Sequence, residues 1–161
     1  MNSEIKYETD HGEVQLSPEI VRRYLVNGQG HVTDQEVMYF MTLCKYQQLN
    51  PFLREAYLIK YGDTEPATIV IGKDTFTKRA AKAEQYNGAD AGITVLSGEQ
   101  LTRREGTLLL PTEKLVGGWA NVYRKDWQHP VKIEVNLAEY VGMKKDGTTN
   151  RQWKRMPATM I

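Results

Sequence analysis

Apolar residues fall at helical spacing over residues 33–49, where Val37, Phe40, Met41 and Cys44 share one face and Leu49 lies near the end. Thr33 and Glu36 bracket the start as a capping box, because the hydroxyl can accept from the Glu36 amide while the carboxylate reaches back. Asn50-Pro51 ends this helix, since a residue before proline disfavours helical angles. A shorter helix opens at Ser17-Pro18 and breaks at Asn27-Gly28-Gln29-Gly30. The period then changes to two. Residues 55–61 and 67–71 read as strands joined by Gly62-Asp63-Thr64-Glu65-Pro66, a predicted hairpin. Gly72 breaks the second strand, and residues 74–85 read as a helix with Phe76, Ala80 and Ala83 on its core side. A further strand is expected over 91–96. Residues 97–114 fit either a protruding hairpin carrying Leu108-Leu109-Leu110 or a mobile loop. A second hairpin is expected from strands 119–125 and 131–135, with Trp119 in the core and Tyr123 open to either role. Asn136 and Glu139 suit the start of a short helix through Val141, and Pro157 begins another that has one turn before Ile161.

These elements predict an α+β fold, an antiparallel sheet of hairpins packed on helices. Residues 1–16 read as a flexible polar arm and 17–161 as one core domain. The chain has 161 residues, 40% hydrophobic and 25% charged, enough for one real core. No apolar run approaches the roughly 20 residues of a membrane helix. The single Cys44 cannot form an internal disulfide; it reads as a buried structural thiol, with a reducing cytoplasm as the default. Net charge is only +1, but its distribution is uneven. The first 50 residues are acidic, whereas Lys144, Lys145, Arg151, Lys154 and Arg155 near the end face only Asp146.

The residue types argue against an enzyme. His11, His31 and His129 have no Cys or His at metal-ligand spacing, and neither G-x-S-x-G nor H-E-x-x-H occurs. Gly72-Lys73 ends like a phosphate-binding loop, yet Ala67 replaces its first glycine and Asp74 its magnesium-binding hydroxyl. No catalytic residue, metal or cofactor is therefore expected. Glu55, Asp74 and Asp126 leave a metal-dependent nuclease as one alternative, although capping and ion pairing are commoner uses of such residues. A non-enzymatic domain binding an acidic protein through the basic C-terminal segment is another.

What the chain does offer is cations beside flat rings, the two ingredients for holding single-stranded nucleic acid. Lys73, Lys78, Arg79 and Lys82 lie at or after a strand-to-helix junction, where helix amides also favour anions. Arg124 and Lys125 stand at a hairpin tip beside Trp127. Trp153 adjoins Lys154 and Arg155, with Arg151 close by.

Five motifs in order carry a resemblance. They are Asn50-Pro51-Phe52, Glu55-Ala56-Tyr57, Gly72-Lys73-Asp74-x-Phe76-x-Lys78-Arg79, Tyr123-Arg124-Lys125-Asp126-x-x-His129-Pro130 and Trp153-x-x-Met156-Pro157-x-x-Met160. From about Val37 to Ile161 the chain resembles the RecT/Redβ family of phage single-strand annealing proteins, also labelled recombination protein Bet. The resemblance implies a core similar to the eukaryotic annealing mediator of recombination. It also implies ATP-independent binding and annealing of complementary DNA strands in a bacterial cytoplasm, with self-association into rings or helical filaments. Partners implied are single-stranded DNA, the annealed duplex, a phage exonuclease and a host single-strand binding protein. The family groove points to Arg54, Arg124, Lys125 and Trp153. Ala158 and Thr159 stand where some members have basic residues after the proline, and Lys154 and Arg155 are the substitutes nearby. In the family the last helix continues into a separate C-terminal region, so the chain is expected to be a truncated form.

Overall fold

Two antiparallel strands, β1 (Ile5–Thr9) and β2 (Gly12–Leu16), open the region described by the computed structural model, residues 4–161. This corrects the expectation of a flexible arm over residues 1–16, of which Met1, Asn2 and Ser3 lie outside the described residues. The segment looked polar because Lys6, Glu8, Glu13 and Gln15 occupy one face of the hairpin. The other face buries Tyr7, Val14 and Leu16, and the Tyr7 hydroxyl donates to the Leu49 carbonyl at 2.7 Å. Gly12, at φ +102°, supplies a left-handed turn that other residues adopt only with strain.

The chain divides into two compact units, the first ending at Ala80 and the second beginning at Ala81, where the sequence reading had one domain. In the first unit, Ser17 caps α1 (Pro18–Ile20), which runs into a π-helical turn (Val21–Leu25) and then β3 (Val26–Gly28). That strand was not expected: its three residues pair in parallel with β4 (Ala56–Lys60), and β4 pairs antiparallel with β5 (Thr68–Ile71) as the predicted hairpin. The Lys60 carbonyl accepts from the Gln29 and Gly30 amides at 3.1 Å each. At Gly28 (φ +103°) a Cβ would stand 2.1 Å from that carbonyl oxygen, so only glycine fits.

Helix α2 (Asp34–Tyr46) carries the anticipated capping box, with Glu36 N donating to Thr33 Oγ1 at 3.2 Å and Thr33 N to Glu36 Oε2 at 2.8 Å. Its buried face, Val37, Phe40, Met41 and Cys44, packs with Leu16, Val21, Leu49 and Leu58 into the unit's core. Each such side chain contributes about 1.5–3 kcal/mol by leaving water. Burial pushes the Cys44 thiol up to about 12, which makes it inert. Glu36 does more than cap. Its Oε1 accepts from Lys60 Nζ at 2.8 Å and from the Ala67 amide at 2.7 Å, fastening α2 to both strands of the hairpin.

Helix α3 (Lys73–Lys82) follows β5. Phe76, expected in the core, is instead 56% exposed. The buried position is Thr75, whose hydroxyl donates to the Glu55 carbonyl at 3.3 Å, so the helix is turned one residue from the predicted phase.

The second unit is built on a four-stranded antiparallel sheet, order β7-β6-β8-β9. Its strands are β6 (Tyr86–Ser97), β7 (Gln100–Glu105), β8 (Glu113–Arg124) and β9 (Val131–Asn136). Residues 97–114 thus contribute β7 and a loop whose Leu109 packs on the core while Leu108 is exposed. One face of the sheet holds Ile93, Val95 and Leu115 against Leu137, Ala158 and Ile161. The last three come from short helices α4 (Leu137–Tyr140) and α6 (Pro157–Met160) and the residue after it, and α5 (Arg151–Arg155) precedes α6. A Cβ on Gly118 would stand 3.0 Å from the Ile161 carbonyl oxygen, so that glycine lets Ile161 settle on the sheet. Trp119 is not in this core. It points to the opposite, polar face, half-buried beneath the Arg103 guanidinium (5.8 Å from the ring centroid), with its Nε1 enclosed and without an acceptor among the described residues. The α+β class stands, with the strands distributed over both units.

Candidate nucleic-acid interface

In the first unit the Asn-Pro-Phe turn is a fixed local structure. Asn50 Oδ1 accepts from the Phe52 and Leu53 amides at 3.0 and 3.3 Å, capping a 3-10 turn (Pro51–Leu53). The Asn50 amide donates to Glu55 Oε2 at 2.8 Å, and Lys78 Nζ lies 3.3 Å from Glu55 Oε1. Gly72 N donates to the Glu55 carbonyl at 3.0 Å, and a Cβ there would meet the Arg54 carbonyl oxygen at 2.8 Å. Three of the sequence motifs therefore knot together, and the knot forces Arg54 into a left-handed conformation, φ 62°. A non-glycine residue held in that region costs of order 1 kcal/mol or more and persists because its surroundings fix it.

Arg54 lines two clefts. One, about 680 Å³, also receives Lys73, Asp74, Tyr57 and Lys78. The other, about 480 Å³, is lined by Tyr24, Phe52 and Tyr57 with Asn27. Tyr24 and Phe52 are largely exposed, and the Arg23 guanidinium sits 5.4 Å from the Tyr24 ring centroid. Arg23 and Tyr24 were not singled out from sequence, and Tyr57 stood only within the Glu55-Ala56-Tyr57 motif, not as a binding residue. The alternation in β4, whose Ala56, Leu58 and Lys60 are buried, was the available signal for Tyr57; none marked Tyr24. Arg79 is occupied elsewhere: its guanidinium donates to the Gln47 carbonyl at 2.5 Å, closing the end of α2. Lys82 is exposed at the last position of α3.

The second unit holds the denser cationic site. Asn150 caps α5 by accepting from the Trp153 amide at 3.1 Å. The preceding loop is closed by Lys144 N donating to the Thr148 carbonyl at 2.7 Å and Asn150 N to the Gly142 carbonyl at 2.8 Å. Together they form a groove of about 1140 Å³ lined by Lys144, Arg151, Trp153, Lys154 and Arg155, with Asp146 its one acid. Asp146 accepts from the Thr148 amide and hydroxyl, which hold its carboxyl below the usual range. Lys145 is exposed in the same loop without lining the groove. Trp153 is half-buried: a Cβ on Gly142 would fall 2.8 Å from its indole, so that glycine makes room for the ring.

Arg124 and Lys125 stand at the end of β8, as expected, and both are engaged. Arg124 donates to Asp126 from Nε (2.9 Å) and Nη2 (2.7 Å) and lies 5.0 Å from the Trp127 ring centroid. Lys125 Nζ donates to the Glu84 carbonyl at 2.9 Å. The pairing raises Arg124 and lowers the Asp126 carboxyl. A phosphate that takes the Nε–Nη2 edge of this guanidinium must displace Asp126. Asp126→Asn is therefore expected to strengthen binding to single-stranded DNA a few-fold at low salt, read by fluorescence anisotropy; unchanged or weaker binding would remove Arg124 from the interface.

The three acids considered for a nuclease are apart in role. Glu55 anchors the Asn-Pro-Phe knot, Asp74 pairs with Lys73 at 3.3 Å, and Asp126 holds Arg124. Among the described residues no three His, Cys, Asp or Glu side chains gather as a metal would require.

A sequence model of the RecT family matches residues 12–161. The chain belongs to the RecT family. Comparison with curated proteins finds no match. RecT-family proteins bind single-stranded DNA and anneal it in recombination, and they are generally not catalysts. For this RecT-family chain the match includes β2, a segment that the motif resemblance did not reach. Among the described residues of the RecT chain, no helix is long and apolar enough to cross a membrane.

Proposed function

We propose that this protein binds single-stranded DNA through its phosphate backbone with little sequence preference and anneals complementary strands without ATP. The observation that carries the reading is the groove in which Lys144, Arg151, Lys154 and Arg155 surround Trp153. Four cations neutralise successive phosphates while one ring stacks a base, a combination indifferent to sequence. The clefts around Arg54 offer a second set of rings and cations. Lys73 and Lys78 in the first unit, and Lys82, Arg124, Lys125 and Lys145 in the second, are further proposed DNA contacts, whereas Arg79 serves first to close α2. Base pairing supplies specificity and driving force, so neither nucleotide nor nucleophile is needed. One small chain covers few nucleotides, and self-association into rings or filaments is part of the proposal because neighbours on one strand act at high effective concentration. A phage exonuclease and a host single-strand binding protein are the proposed partners, and a bacterial cytoplasm the proposed setting.

An annealing assay with complementary and non-complementary oligonucleotides, run without ATP, tests this directly. Pairing of only the complementary strands is expected; annealing that appears only with ATP would reject the mechanism. Trp153→Ala is expected to weaken binding by about 1–3 kcal/mol, the worth of one stacked base. Its melting temperature should fall by less than the loss of a fully buried tryptophan entails. A large melting shift with normal binding by the folded fraction would make Trp153 a packing residue only.

A further inference from the structure

Within the second unit the sheet ends in two edge strands: among the described residues, β7 bonds only to β6 and β9 only to β8. β7 and β9 are each six residues long, and most of their residues are exposed. Along β9, Val131 and Ile133 are 39% and 57% exposed on the apolar face, beside a cavity of about 350 Å³ lined by Ala91, Ala120, Val135 and Ile161. Exposed edges of this kind are templates for another strand, and proteins usually blunt them with charge. Here charges are present on both edges, but with opposite patterns.

We infer that β9 of one copy pairs with β7 of a second copy, joining sheets head to tail. Every neighbouring pair in the order β7-β6-β8-β9 is antiparallel, so β7 and β9 run in opposite directions. A second copy added at β9 therefore continues the antiparallel alternation. The register is fixed by side chains. Val131, Ile133 and Val135 lie on the same face as Ile93, as do Thr102 and Arg104, whereas Lys132, Glu134, Arg103 and Glu105 lie on the other. Keeping faces matched, one pairing sets Lys132 opposite the second copy's Glu105 and Glu134 opposite its Arg103. Sliding by two residues one way sets Lys132 against Arg103, and the other way Glu134 against Glu105, both like-charged. Within a chain Arg103 lies over Trp119 and donates to Glu134 at 2.6 Å, so the Lys132–Glu105 pair carries the charge match across the joint. Hydrogen-bond direction agrees too. It alternates along each strand, and the row Arg104–Ile93–Gly118–Val135 gives the outward-facing residues of β7 and β9 the parity this register needs.

The two edges are different surfaces, so the contact is heterologous and propagates rather than closing as a two-fold dimer. This deepens the self-association just proposed by naming its surface. The test is a charge exchange read by sedimentation velocity over a concentration series, with and without an oligonucleotide. Lys132→Glu and Glu105→Lys each place like charges across the joint. Each alone is expected to raise the concentration needed for assembly roughly tenfold. An equimolar mixture, and the double variant, should return to wild-type behaviour, because every joint then has opposite charges again. Circular dichroism confirms that each variant is folded. Single variants that assemble like wild type, or a mixture that stays dispersed, would overturn the edge pairing while leaving self-association standing. A wild-type chain that never assembles would remove both.

Discussion

Glu36→Ala is expected to destabilise the first unit by about 3–5 kcal/mol, the cost of breaking a buried ion pair from one side. The Lys60 side chain is 4% exposed and that of Glu36 18%, so removing the carboxylate leaves an ammonium without water or partner. The capping box and the bond from the Ala67 amide are lost as well. A double variant that also carries Lys60→Met should recover most of the loss, since no orphaned charge remains. Denaturant unfolding followed by far-UV circular dichroism measures both. A cost below about 1 kcal/mol, or a double variant worse than the single, would contradict the account. The same group governs acid behaviour. Hydrogen bonds from Lys60 first, then from the Thr33 and Ala67 amides, hold its carboxyl down to about 2 against an ordinary 4.5. A depressed folded value means stabilisation is complete above 4.5 and disappears as pH falls toward 2. Glu36→Gln should therefore show a flatter acid transition in that window than the wild-type chain.

The second large effect concerns DNA. Replacing Lys144, Arg151, Lys154 and Arg155 together by alanine is expected to lower the slope of log affinity against log salt by about 3, from about 0.7 per phosphate contact on a single strand. At roughly 0.1 M salt this corresponds to a loss of two to three orders of magnitude in affinity. All four side chains are exposed, so the fold should be retained. The slope is the discriminating number: weaker binding at an unchanged slope would mean distortion of the groove, not lost phosphate contacts. A change of less than one unit would place the principal DNA contacts elsewhere.

Much of this architecture is legible from residue order because it is set locally. The Thr33–Glu36 box, the stop at Asn50-Pro51 and both predicted hairpins depend on neighbours within a few positions. What escaped depends on distant partners. The β1–β2 hairpin is polar on one side and gains its place from Tyr7 reaching Leu49, and β3 is a three-residue strand made by parallel pairing with the distant β4. Alternation around Trp119 marks two faces of β8 without saying which is covered, and the shift between Thr94 and Val95 further separates pattern from packing. At the interface, clustering of Lys144 to Arg155 was visible as charge. The assembly of Tyr24, Phe52 and Tyr57 beside Arg54 was not, since it joins a π-helical turn, a 3-10 turn and a strand. Nor could charge alone reveal that Arg79 and Arg124 already have partners.

All three tryptophans, Trp119, Trp127 and Trp153, belong to the second unit, and the first has none. Indole emission thus originates in the second unit, whereas α2, the longest helix described, lies in the first. Fluorescence and helical circular dichroism should trace separate unfolding curves whenever the units melt independently. Under the proposed function, Trp153, seated on Gly142 inside the cationic groove, would give the untreated protein its own optical signal for strand loading, with no dye attached.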